Sequence, residues 1–193
     1  MLDLANVQAS IEIANGLPNA CYIDPKIYQH EQNTLFRDSW VAVGFGKDIP
    51  EPGCVKPVNF AQLPMLLVRN QDGNIKVFQN VCRHRGMMLI DTAKQLRGPI
   101  TCPYHAWAYD LDGTLRKTPH VGGTDIHTHD TIKHCDYPLN TMRAHLWHDI
   151  IFVNISGTAP EFNDYAENLI DRWGEFEQPI YHGGPDSSFG FTL

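Results

Sequence analysis

From about residue 40 to about residue 155 this chain carries short apolar or alternating segments broken by turn residues, the signal of short strands, and its two ends follow helical spacing instead. Near the start, "DPKIYQHEQNTLFRDSW" spaces Ile27, Tyr28, Leu35 and Phe36 as one face of a helix, with Asp24 as cap and Pro25 in the first turn. The segment "WVAVG" then predicts a strand. Two apolar runs flank Asp72 and Gly73 in "MLLVRNQDGNIKVFQNV", and "AWAYDLDGTLRK" alternates Trp107, Tyr109 and Leu111 before Asp112 and Gly113. Each reads as a hairpin, because Asp-Gly suits the left-handed backbone of a tight turn. "MRAHLWHDIIFVNIS" adds two further runs with a polar break at His148 and Asp149. After Pro160 the period lengthens, and Phe162, Tyr165, Ala166, Leu169, Ile170 and Trp173 predict an amphipathic helix.

The pattern gives a mainly β fold, an antiparallel β sandwich flanked by an N-terminal and a C-terminal helix. A helical leader at 1–39, a strand-rich domain at 40–156 and a closing segment at 157–193 follow, with Gly183, Gly184 and Pro185 as the best linker. The final "SSFGFTL" reads as the opening strand of a further domain. With 193 residues the chain can bury a substantial core. Its formal net charge of -7 argues against nucleic acid as the main partner. The first residues carry Asp3 and Glu12 and lack a basic leader or long apolar run, so the reading is a cytoplasmic chain with no membrane anchor. Cys21, Cys54 and Cys135 show no disulfide spacing and are expected as reduced, buried small hydrophobes.

Chemistry concentrates in "CRHRG" at 82–86 and "CPYHAW" at 102–107, which the hairpin pattern places on connections between strands. Gly86 permits positive φ beside the first pair, and Pro103 stiffens the second loop. The order Cys, His, Cys, His suits a structural zinc site poorly, since zinc modules commonly supply both cysteines before both histidines at wider spacings. A dinuclear iron-sulfur centre with two thiolates on one iron and two imidazoles on the other suits it better. Neutral imidazoles in place of thiolates raise the reduction potential, and their second nitrogen couples electron uptake to pH.

"CRHRG", 17 residues from His84 to Cys102, "CPYHAW" and then "YDLDGTL" resemble the Rieske [2Fe-2S] domain of ring-hydroxylating, non-haem iron oxygenases, over the N-terminal half of their α subunit. The resemblance implies a Rieske-type sandwich with a cluster-binding subdomain. It implies Cys82 and Cys102 as thiolate ligands and His84 and His105 as imidazole ligands. Arg83, Arg85, Tyr104 and Trp107 would lie around them, a phenol or guanidinium bonding near sulfur and the indole excluding water. It further implies a reductase or ferredoxin as electron donor and a homo-oligomer when intact. The acceptor would be a mononuclear Fe(II) in a catalytic domain of the same or a neighbouring subunit, absent from this chain, and the substrates would be aromatic rings or choline- and betaine-like compounds.

The stretch "TDIHTHDTIKH" holds His127, His129 and His134 near Asp125 and Asp130, but its threonine-rich composition and its place favour polar loop surface over an iron site. Two other readings stay open. One is a free-standing Rieske ferredoxin-like carrier, and the other is a zinc-stabilised module.

Overall fold

In the computed structural model the described residues are 4–176 and 182–183. Among the described residues ten strands run in chain order as β1 (Trp40–Phe45), β2 (Cys54–Phe60), β3 (Leu63–Arg69), β4 (Ile75–Gln79), β5 (Lys94–Gln95), β6 (Ile100–Thr101), β7 (Ala108–Tyr109), β8 (Leu115–Lys117), β9 (Thr141–Trp147) and β10 (Ile150–Asn154). Seven form one antiparallel sheet in the order β1-β10-β9-β4-β3-β2-β5, and β6-β7-β8 form a small second sheet. The fold is mainly antiparallel β, and the expected sandwich arises largely because the large sheet curls on itself. Gly44 of edge strand β1 lies against Leu67 of β3, where an added Cβ would meet Leu67 Cδ1 at 2.8 Å.

β3 is apolar on both sides because it is covered on both. Leu66 and Val68 enter a core with Phe78, Ile100, Trp107, Tyr109 and Leu115. Met65 and Leu67 enter a second core with Ile49, Val77, Ile151 and Val153. Side chains alternate across a strand, so one continuous apolar run supplies two cores.

The turns follow their chemistry. Gly73 (φ 80°) closes β3–β4 and Gly113 (φ 85°) closes β7–β8. Phe78 packs so closely on Gly113 that a built Cβ would lie 2.6 Å from its ring. Two-residue turns without glycine join β2 to β3 at Ala61-Gln62 and β9 to β10 at His148-Asp149, all four at positive φ.

The helical ends differ from their expected form. α1 (Ala20–Ile23) precedes α2 (Pro25–Asn33), which starts at Pro25 with the Asp24 carboxylate accepting Lys26 N–H. Thr34 (φ −123°, ψ −80°) then breaks the helix, and α3 (Leu35–Asp38) restarts beyond it. The predicted face therefore loses register, leaving Tyr28 and Leu35 exposed while Gln32 is buried against Gln62. At the other end Ala166 (φ −102°, ψ 10°) divides α4 (Phe162–Tyr165) from α5 (Glu167–Trp173). Phe162 and Ala166 pack with Trp40, whereas Tyr165, Leu169, Trp173 and Phe176 are exposed. The predicted linker residues Gly184 and Pro185, and "SSFGFTL", lie outside the described residues.

Asn154 joins both ends to the sheet. Its Nδ2 donates to Arg37 O and Ser39 O, and its Oδ1 accepts Ala159 N–H.

Candidate metal centre

Both Cys/His segments are hairpin tips with the same backbone. In the first, Cys82 N–H donates to Met87 O at 2.8 Å and Gly86 N–H to Cys82 O at 3.1 Å. In the second, Cys102 N–H donates to Trp107 O at 2.8 Å and Ala106 N–H to Cys102 O at 3.0 Å. The fifth residue of each takes positive φ, Gly86 at 71° and Ala106 at 56°. Flanking pairs match as well, Val81 with Met88 and Thr101 with Ala108.

The tips bring their donors together as two pairs. Cys82 and Cys102 are both buried, and their thiols are close enough to interact. The His84 and His105 rings lie 4.8 Å apart between centroids. Among the described residues no three His, Cys, Asp or Glu side chains gather to hold a single ion. His105 Nδ1 is buried without a hydrogen-bond partner. A buried nitrogen left in that state is costly, and it offers a lone pair to a cation.

Surroundings shift the protonation of these groups. Burial pushes the Cys82 thiol up, against the Tyr109 hydroxyl and the His84 backbone N–H, which pull it down, while Cys102 raises it further. A buried thiolate of this kind calls for a neighbouring positive charge such as a metal. His84 is held below its ordinary value by burial first, then by His105 and Arg85. Burial also raises the Tyr109 phenol, with Cys82 adding to it. The donor set thus fits a thiolate- and imidazole-bound metal cluster.

The expected surrounding residues divide. Trp107 is buried and stacks on His84, rings 4.7 Å apart and 8° from parallel. Tyr104 packs on the His105 ring at 3.7 Å but is itself exposed. The phenol beside sulfur is instead Tyr109, its Oη 3.4 Å from Cys82 Sγ. That oxygen accepts Arg83 N–H at 3.0 Å, which leaves its own hydrogen for the sulfur. The Arg83 and Arg85 side chains are exposed, and only the Arg83 backbone joins this network.

Two positions escaped the sequence reading. Tyr109 counted there only as an alternating apolar residue. Asn80, fully buried, donates from Nδ2 to Ile90 O at 2.6 Å and accepts Ile90 N–H on Oδ1 at 3.1 Å. It closes the base of the first tip as a backbone rung would.

The third loop keeps its histidines for itself. His127 Nδ1 accepts His120 N–H, His129 Nδ1 accepts Thr131 N–H, and His134 Nε2 bonds Thr118 Oγ1. A backbone N–H can only donate, so in the neutral rings of His127 and His129 the proton sits on Nε2 and no lone pair is free for iron. Cys135 is exposed and Cys21 and Cys54 are half-buried, so the expectation of three buried thiols fails.

A family model for the Rieske [2Fe-2S] domain matches residues 39–133. Those residues belong to the Rieske family. The chain is 32% identical to the glycine betaine monooxygenase oxygenase subunit of Chromohalobacter salexigens, over 84% of its own length and 35% of the relative's. It is 31% identical to the biphenyl 2,3-dioxygenase subunit alpha of Rhodococcus jostii, over 78% and 34%. The chain thus spans about a third of the length of these curated relatives. In fold it matches the apo quaternary ammonium Rieske monooxygenase CntA with TM-score 0.73 at 23% identity, covering 83% of this chain and 45% of that one. It matches the indole-bound naphthalene 1,2-dioxygenase of Rhodococcus sp. with TM-score 0.73 at 26% identity, over 86% and 36%. A Rieske domain implies a [2Fe-2S] cluster. No helix among the described residues is long and apolar enough to cross a membrane.

Proposed function

We propose that this chain is the electron-transfer Rieske domain of an oxygenase, with Cys82 and Cys102 on one iron and His84 and His105 on the other. The observation that carries the ligand assignment is the unpartnered, buried His105 Nδ1 beside His84, on the same two tips that carry the buried Cys82 and Cys102. Bound there, the cluster supplies one-electron chemistry at a potential raised by its imidazoles. The protein's part is to hold the tips, to donate from Tyr109 toward Cys82 sulfur, and to cover His84 with Trp107.

In this reading electrons arrive from a reductase or ferredoxin. They leave for a mononuclear non-haem iron held by a catalytic domain of the same or a neighbouring subunit. Support comes from relatives named as oxygenase and α subunits. The exposed apolar residues Leu169, Trp173 and Phe176 add to it, since such a face suits an assembly better than a free-standing carrier. The leader at 1–39, the domain at 40–156 and the segment from 157 are part of the same proposal. Relatives with this domain are named for betaine, carnitine and biphenyl, so we place the choice of substrate outside it.

Anaerobic purification followed by iron and acid-labile sulfide analysis tests the reading. The expected result is about two of each per chain and a rhombic electron paramagnetic signal on reduction, with Cys82→Ser and His105→Ala each abolishing the signal. Colourless protein carrying zinc and no sulfide would sink it.

A further inference from the structure

Within the third loop a small tip closes on itself, Gly122 N–H donating to Ile126 O and Ile126 N–H to Gly123 O. Imidazoles then tie that tip down. His127 Nδ1 accepts His120 N–H at 3.1 Å, and His120 Nδ1 accepts Asp125 N–H at 3.1 Å. The two rings lie 5.0 Å apart, and His127 O accepts the Thr118 hydroxyl hydrogen at 3.0 Å. His120 and Asp125 both stand in left-handed backbone, at φ 58° and 57°. Residues other than glycine stay in that conformation when their surroundings keep them there.

Each of the two ties needs a bare ring nitrogen. A protonated imidazole carries hydrogen on both nitrogens, so its Nδ1 can only donate, and a backbone N–H aimed at it becomes a repulsive contact. Imidazole is the side chain that changes charge between pH 5 and 8, which brings both ties within reach of mild acid. For His120 the second state is already in place. Asp125 Oδ1 lies 3.9 Å from His120 Nδ1, so the residue that gives its N–H to the neutral ring offers a carboxylate to the charged one. The remaining groups around the rings do not favour that charge. His120 lines the cleft of about 600 Å³ beside the histidine pair together with His84, Arg85, Cys102, Tyr104 and His105. His127 lines a hollow with Arg116, Lys117 and His134. Asp130, Lys133 and Asp136 are exposed farther along the chain.

We propose that the third loop is an acid-released flap, pinned by His120 and His127 as neutral hydrogen-bond acceptors and freed when they take up protons. On release His120 trades the Asp125 N–H for the Asp125 carboxylate. The flap is closed above this pH window and opens as pH falls through it. Pro119, His120 and Val121 line the cleft beside His84 and His105, so the flap carries one wall of that cleft with it. This device goes beyond the electron-transfer reading and stands independently of it.

Hydrogen–deuterium exchange of the full chain as purified, read by mass spectrometry and corrected for the intrinsic exchange rate at each pH, is the test. Protection of peptides within 118–131 should fall by about tenfold from pH 8 to pH 5.5, as for two modest hydrogen bonds lost together, while β3 peptides keep theirs. Combining His120→Asn with His127→Asn sets an amide oxygen near the place of each Nδ1, an acceptor that acid does not charge, and Asn tolerates left-handed backbone. That double variant should keep its pH 8 protection at pH 5.5. Asp125→Asn keeps the N–H and the left-handed turn but removes the carboxylate, so its midpoint of release should move to lower pH. Equal protection of the parent at both pH values overturns the flap. So does an equal loss in the double variant, or a double variant already unprotected at pH 8. An unmoved midpoint in Asp125→Asn overturns the exchange onto its carboxylate.

Discussion

The tips at 82–87 and 102–107 share one backbone and differ in nearly everything attached to it. Each makes the same two internal hydrogen bonds and the same left-handed fifth residue. Yet histidine stands third in one and fourth in the other, and the sixth residue is exposed Met87 in one and buried Trp107 in the other. Below the tips the supports differ too. The second tip continues into the β6–β7 ladder, where Ile100 pairs with Tyr109. Beneath the first, one isolated bridge is followed by the Asn80 side chain clasping Ile90. A repeated backbone frame thus fixes where donors can stand, and side chains decide how firmly each half stands there.

Exchanging the sixth residues gives the largest contrast. Trp107→Ala, which removes a buried ring and the stack on His84, should cost about 3 to 5 kcal/mol in urea unfolding, whereas Met87→Ala at the equivalent place should cost about 0.5 kcal/mol. Similar costs for the two would mean that the tips are supported alike. Next comes the clasp. Asn80→Ala strands the N–H and C=O of Ile90, worth about 2 kcal/mol, and should release iron from the first tip on dialysis faster than Thr101→Ala, which leaves the β6–β7 backbone pairs in place.

Gly86→Ala should cost about 1 kcal/mol, because nothing lies within 4 Å of the added Cβ and only the positive φ opposes it. Ala106→Gly relieves the same strain but loosens the unfolded chain, so its net effect should stay within about 0.5 kcal/mol. Thermal melts of the pair decide this. The smallest structural change is Tyr109→Phe, which leaves the fold but withdraws the hydrogen aimed at Cys82 sulfur. A sulfur without that bond holds added negative charge less well, so the midpoint potential should move to a more negative value in a redox titration. An unchanged potential would show that the Tyr109 oxygen serves only as acceptor of the Arg83 N–H.

The two tips also show what the sequence made legible. Cys82, His84, Cys102 and His105 announced themselves by type and spacing, and the Asp-Gly turns by a backbone shape that few residues accept. Tyr109 and Asn80 did not, since Tyr109 touches a sulfur 27 residues away and Asn80 a peptide 10 residues away. Such contacts depend on strand register, which periodicity does not fix. Helical spacing located both ends, but a break at Thr34 or Ala166 turns the face by a register that counting residues misses.

β3 forms a party wall between two interiors. Met65 and Leu67 face one and Leu66 and Val68 the other, all four shut off from solvent. The half that carries the tips and the half that holds Ile49, Ile151 and Val153 therefore share a load, and melting of one should carry the other with it. Amide hydrogens along β3 should exchange only when the entire domain opens, so damage far from the tips will register at them as a loss of lifetime, not of shape.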